Sequence, residues 1–192
     1  MSRQYFSETP FWSTSAGTAI ATSTTETILV PNTTIPANYM NDGRLIRLKA
    51  TGAYGTTATP TLIFRVRWGG VSGTVLSTSS TITTTSGTGS GASMTALWVA
   101  DIIIQTRSNG SAGTLFTNGD GVLFNSANPT SGTVTNYGLP FVLASGATGG
   151  TTPVAVTADL TADTALSFTA QWGTSNAANS IRLDTYSVES LN

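Results

Sequence analysis

Short runs in which apolar and polar residues alternate are spread along most of the chain. The clearest run covers residues 61–68, where every second side chain is apolar: Leu62, Phe64, Val66 and Trp68. Residues 164–172 repeat this pattern with Leu166, Phe168, Ala170 and Trp172. A period of two places these side chains on one face of a β-strand. Since no stretch has a helical period, we predict an all-β protein in which such strands bury one face.

With the rest of the sequence included, the chain is predicted to form about ten strands, separated by clusters of Gly, Asn, Pro and Thr. This is the pattern of a β-sandwich or barrel. We expect residues 43–54 and 59–68 to pair as a hairpin. Asn118-Gly119-Asp120-Gly121 favours a second, two-residue hairpin, because both central positions accept positive φ. Further strands are predicted at about residues 27–31, 74–84, 96–104, 113–117, 121–125, 139–143, 152–158 and 179–189.

Residues 96–104 differ from the other runs because both faces of the predicted strand are apolar. Leu97, Val99 and Ile103 alternate with a second apolar set, Trp98, Ala100, Ile102 and Ile104. We expect both faces to be covered, one by the facing sheet and the other by a neighbouring subunit.

Asp101 interrupts the first of these faces, and a carboxylate there needs a cationic partner. Arg65 and Arg67 are the natural candidates, either across strands or between subunits. Five of the eight basic residues lie at positions 44–67. Their partners could be internal acids such as Asp101 and Asp184, or an acidic patch on another protein.

Residues 1–24 are rich in hydroxyl side chains and have no regular period, so we predict an extended N-terminal arm followed by a single β-sandwich domain at 25–192. The arm carries four aromatic residues that it cannot bury by itself. We expect them to contact a partner or a neighbouring copy of the chain; they are Tyr5, Phe6, Phe11 and Trp12.

Composition excludes several kinds of chemistry. The chain of 192 residues has no Cys and no His, which removes disulfides, thiolate nucleophiles, Cys/His zinc sites and Ser-His-Asp triads. It has 37 Thr and 22 Ser but only 9% charged residues. A two-carboxylate glycosidase remains formally possible, although nothing in the spacing of the nine acids indicates a pair. We predict no catalytic residue, no metal site and no cofactor.

Charge and hydropathy bear on the partners. A formal net charge of −1 argues against nucleic acid, whose binding relies on basic patches. The longest apolar runs fall far short of the roughly 20 residues that a membrane-spanning helix needs. The N-terminus also lacks the apolar core of a secretion signal. We expect neither nucleic acid nor membrane as a partner.

Two segments, residues 35–70 and 160–192, resemble a family of tailed-phage and prophage virion proteins. The similarity lies in an "IPAN" turn, in a strand pair containing "TPTL" and "RVRWGG", and in a closing segment with "AQW" and "NSI". The resemblance implies a jelly-roll-like antiparallel β-sandwich that decorates or cements a phage capsid, as a homotrimer bound to the major capsid protein. It implies no catalytic residue.

The expected function is therefore that of a non-enzymatic virion protein, assembled in the cytoplasm of the bacterial host. The alternative is a tail, fibre or baseplate component that binds glycan on the host surface. A free-standing glycan hydrolase is the third possibility, and it would require two carboxylates in a cleft.

Overall fold

A computed structural model describes residues 8–30, 33–56, 59–84, 94, 96–124, 138–146 and 152–192. Within these ranges the chain forms fourteen strands and no helix, and every strand pair is antiparallel. The strands are β1 (Glu8–Trp12), β2 (Ile20–Ala21), β3 (Thr27–Ile28), β4 (Thr33–Ile35), β5 (Leu45–Gly55), β6 (Thr61–Trp68), β7 (Thr74–Ser79), β8 (Ile82–Thr83), β9 (Ala96–Ser108), β10 (Gly113–Leu123), β11 (Leu139–Ser145), β12 (Val156–Ala158), β13 (Thr164–Trp172) and β14 (Ser180–Ser190).

The strands follow one hydrogen-bonded path, in the order β1-β14-β5-β9-β10-β11-β7-β6-β13-β3. This path curls over near β10 and β11, so that its two halves face each other. The aromatic contacts show this, because Trp98 on β9 lies 5.5 Å from Phe64 on β6 and 6.0 Å from Phe168 on β13, between ring centroids. Strands four or five places apart in a flat sheet could not bring rings so close. The prediction of a jelly-roll-like, all-β sandwich is confirmed.

The core lies between these two layers and consists of the side chains that the period of two selected. All the apolar residues of the predicted inward faces of β6 and β13 are buried, including Trp68 and Trp172. On β9 the inward set is Trp98, Ala100, Ile102 and Ile104, all buried. Three of the four tryptophans therefore pack inside the domain, and alternation had placed Trp68 and Trp172 on the inward faces of their strands.

The N-terminal segment joins the two layers along their open edges. β2 pairs with β14 in one layer, and β3 and β4 pair with β13 in the other. A turn then follows, in which Asn38 adopts a φ of 58° and its N–H donates to the carbonyl of Leu160. This turn is the "IPAN" motif of the sequence, and it leads through a second turn at Asn41–Arg44 into β5.

The predicted hairpin between residues 43–54 and 59–68 is wrong. β5 pairs with β14 and β9, whereas β6 pairs with β13, β7 and β8 in the facing layer. Both strands have one apolar face, so both can line the core without touching along their edges. The chain crosses from one layer to the other between them.

The predicted hairpin at Asn118-Gly119-Asp120-Gly121 is also wrong, because β10 runs through it without a turn. Neither glycine adopts a positive φ. Both are needed for space instead: a Cβ on Gly121 would lie 2.3 Å from Cζ of Phe141, and one on Gly119 would lie 2.7 Å from Cγ1 of Ile102. Close packing therefore explains these glycines better than turn geometry does.

Candidate functional site

The outward side chains of β14, β5, β9 and β10 form a broad surface, called the outer face below. Its centre is a row of residues in register: Ser187 on β14, Lys49 on β5, Asp101 on β9 and Asp120 on β10. Asp101 and Asp120 are direct neighbours. Two carboxylates opposite each other on adjacent strands repel each other unless a nearby cation neutralises their charge.

That cation is Arg47. Its Nε donates a hydrogen bond to Oδ1 of Asp101 at 2.7 Å, and its Nη2 donates to Oδ2. These hydrogen bonds and the positive charge of the guanidinium lower the pKa of Asp101. The predicted pairing of Asp101 with Arg65 or Arg67 is wrong, because those two residues belong to β6 in the other layer.

Arg65 and Arg67 instead bind Glu26, which lies between β2 and β3. Arg67 is bidentate, with Nε at 2.5 Å from Oε1 and Nη2 at 2.7 Å from Oε2, and Arg65 Nη1 lies 3.0 Å from Oε2. Thr169 Oγ1 also donates to Oε1, at 2.5 Å. Burial alone would raise the pKa of Glu26, but these hydrogen bonds and the two positive charges outweigh it and lower the pKa.

The sequence marks these two arginines as candidates for ion pairs, but it does not mark Glu26. It stands in a hydroxyl-rich stretch with no period, and nothing local marks it as the partner of arginines 39 and 41 positions further on. Asp184, suggested as a partner for the basic residues at 44–67, pairs with Arg182 on its own strand at 2.7 Å.

The predicted second cover on β9 is not supplied by the described part of the chain. On the outward side of this strand Leu97 is 46% exposed and Ile103 is 40% exposed. Ile103 borders an open depression of about 700 Å³, whose apolar lining includes Leu45, Phe116 and Val142. The guanidinium carbon of Arg107 lies over the ring of Phe116, 3.9 Å from its centroid.

The aromatic residues of the N-terminal arm have different environments. Tyr5 and Phe6 lie outside the described residues. Phe11 and Trp12 belong to β1, which pairs with β14, so this part of the predicted arm lies along its own domain. Phe11 is partly buried and packs against the core of its own chain, whereas Trp12 points outward and is 66% exposed.

Most of the described carboxylates already have structural contacts. Besides Glu26, Asp101 and Asp184, three more accept backbone N–H groups: Asp42 from Asn109, Asp159 from Thr161, and Asp163 from Ala37. Over the described ranges, no group of three or more acidic side chains is placed to hold a metal ion. No helix long and apolar enough to cross a membrane occurs among the described residues.

Comparison of the chain with models of protein families, with curated proteins and with solved structures finds no match.

Proposed function

We propose that this chain is a non-enzymatic structural protein of a tailed-phage or prophage virion, which decorates or cements the capsid by binding the lattice of the major capsid protein. The resemblance of two segments to such virion proteins supports the proposal. The fold is compatible with it, since the resemblance implies a jelly-roll-like sandwich and the chain folds as one.

The observation that carries the proposal is the position of Trp12. It lies on β1, whose second edge has no strand partner in the described part of the chain. An unpaired edge can receive a strand from another protein. A large aromatic side chain beside that edge offers the kind of anchor that dominates binding energy at protein interfaces. An attachment point of this kind suits a protein that must bind the same lattice site many times.

The described acids support a role without catalysis. A glycosidase needs two carboxylates converging on one cleft. Most of the acids are distributed among separate contacts: Glu26 holds two arginines of β6, and Asp163 holds the "IPAN" turn. Asp101 and Asp120 lie side by side and both line the depression on the outer face, but Arg47 binds Asp101 there.

The test is the location of this chain on particles. Capsids from the source phage or prophage would be assembled with the wild-type chain, with Trp12→Ala and with a matched control, Val71→Ala. Val71 is an exposed apolar residue in the turn between β6 and β7, away from β1. Electron cryomicroscopy then measures occupancy on the lattice.

We expect wild-type and Val71→Ala density at regular capsid sites, and occupancy of Trp12→Ala reduced by about tenfold, the effect of losing an interface anchor of roughly 1.4 kcal/mol or more. Density confined to the tail, together with saccharide binding by the isolated chain, would instead support the tail or fibre function. Absence of the chain from purified particles would overturn both.

A further inference from the structure

The central row of the outer face has an arrangement of charge that is complementary to itself. Lys49 and Asp120 lie on opposite sides of Asp101, one strand away from it in each direction. With strands about 4.8 Å apart, the backbones of residues 49 and 120 are separated by about 10 Å. A positive and a negative side chain thus stand at equal distances from β9, in one row.

Neither of these two side chains is held in an ion pair of the described chain, although the positive charge of Lys49 contributes to lowering the pKa of the neighbouring Asp101. Among the described residues no ion pair within 4.0 Å includes Lys49 or Asp120, and both side chains are exposed. Asp101, between them, is already bound by Arg47. Asp101 is therefore neutralised, while its two neighbours in the row, Lys49 and Asp120, carry exposed charges of opposite sign.

The outward residues of β9 give this face an apolar midline. Leu97, Val99 and Ile103 follow one another on the same side of the strand, interrupted by the neutralised Asp101. Leu45 on β5 and Phe116 on β10 lie in one row on either side of Gln105, so the apolar depression beside Ile103 also extends to both sides of β9.

We propose that the outer face is a contact between two copies of this chain, related by a twofold axis parallel to β9. Such an axis exchanges the two sides of β9, so that β5 of one copy faces β10 of the other. Lys49 of each copy then meets Asp120 of the second, and two equivalent ion pairs form. The apolar midlines meet on the axis, which gives Leu97 and Ile103 the cover that they lack in one copy.

The two Asp101 side chains also approach each other near the axis. Their bound arginines keep this approach from opposing two bare carboxylates. An isologous contact of this kind is self-complementary, as twofold dimers require. It differs from the threefold arrangement that the virion-protein resemblance implies, and it needs no capsid, so it does not depend on the proposed function.

Charge reversal tests the contact on the purified chain. Lys49→Glu places two pairs of acids opposite each other, and Asp120→Lys places two pairs of lysines opposite each other. Ser72→Lys and Ser72→Glu are the matched controls, because Ser72 is exposed in the turn between β6 and β7, outside the outer face. Light scattering after size exclusion gives the mass, and circular dichroism verifies that each variant is folded.

We expect a dimer for the wild type and for both controls, with dimerisation weakened by about tenfold or more in each reversal, since opposed like charges are strongly unfavourable at an interface. An equimolar mixture of Lys49→Glu and Asp120→Lys should recover the dimer. In a mixed pair, the acid introduced at position 49 of one copy meets the lysine introduced at position 120 of the other. The remaining wild-type Lys49 meets the remaining Asp120.

Three results would overturn the proposal. One is a wild-type monomer at all concentrations, and another is a trimer whose mass is unaffected by either reversal. The third is a mixture of the two folded variants that stays as dissociated as its components, because it would show that residues 49 and 120 do not face each other.

Discussion

Glu26 and Arg67 form a bidentate ion pair that ties the N-terminal segment to the centre of the second layer. Glu26 Oε1 lies 2.5 Å from Arg67 Nε, and Oε2 lies 2.7 Å from Nη2, with both side chains at most 15% exposed. Arg65 lies on the same carboxylate. The contact joins residues 41 positions apart and holds the strand that closes the edge of β13.

Removing this carboxylate should destabilise the protein strongly. Glu26→Gln leaves two arginines facing each other at a largely buried place, and breaking such a pair costs about 3 kcal/mol. Urea unfolding followed by tryptophan fluorescence measures the loss. The matched control is Asp184→Asn, which removes a more exposed ion pair with Arg182 and should cost below about 1 kcal/mol. Equal losses in the two variants would contradict this account of Glu26.

The same pair predicts how stability responds to acid. The folded protein holds the pKa of Glu26 below its ordinary value of 4.5, so the unfolded chain takes up the proton first as the pH falls. The stabilisation is fully present above pH 4.5 and is lost as the pH falls through the folded pKa. The free energy of unfolding of Glu26→Gln should therefore decrease less on acidification below pH 4.5 than that of the wild type. If the free energies of unfolding of the two proteins changed in parallel with pH, a contribution from Glu26 would be ruled out.

The environment of Tyr186 predicts how the stability of the protein changes at high pH. Burial raises its pKa to about 12, although Thr33 donates a hydrogen bond to its hydroxyl. The unfolded tyrosine ionises near pH 10, so stability should fall as the pH rises from about 10 to about 12. Ultraviolet titration of the folded wild type should show the ionisation of Tyr186 near pH 12, and Tyr186→Phe should lack this component. A Tyr186→Phe titration identical to the wild type would contradict the assignment.

Gly121 tests whether β10 is a continuous strand. A Cβ there would collide with Phe141 and lie 2.4 Å from the carbonyl oxygen of Val99, so Gly121→Ala should destabilise the fold by about 2 kcal/mol. Asn118→Ala, exposed on the same strand, should change stability by less than about 0.5 kcal/mol. Thermal unfolding compares the two. A neutral Gly121→Ala would favour the turn that the sequence suggested.

The candidate surfaces were only partly predictable from the sequence. The two apolar faces of residues 96–104 indicated that the outward side of this strand needs a cover, and Leu97 and Ile103 are indeed exposed there. The ion pairs were harder to predict than the apolar faces. The sequence indicates that Asp101 needs a cation, but the partners it suggests, Arg65 and Arg67, are wrong. The sequence predicts a turn at Asp120 and cannot relate Lys49 to it, because their relation depends on β9 lying between them.

The sequence by itself determined the class of fold, most strand positions and which side chains of β6 and β13 enter the core. These properties follow from the period of two, which is local and is imposed by the backbone of each strand. The tertiary structure alone decided which strands are neighbours: that β5 and β6 lie in different layers, that β10 is not a hairpin, and that Glu26 reaches Arg67. Pairing joins segments far apart in the chain, and many partners satisfy the same local pattern, so register and ion pairs are set only when the two layers close on one core.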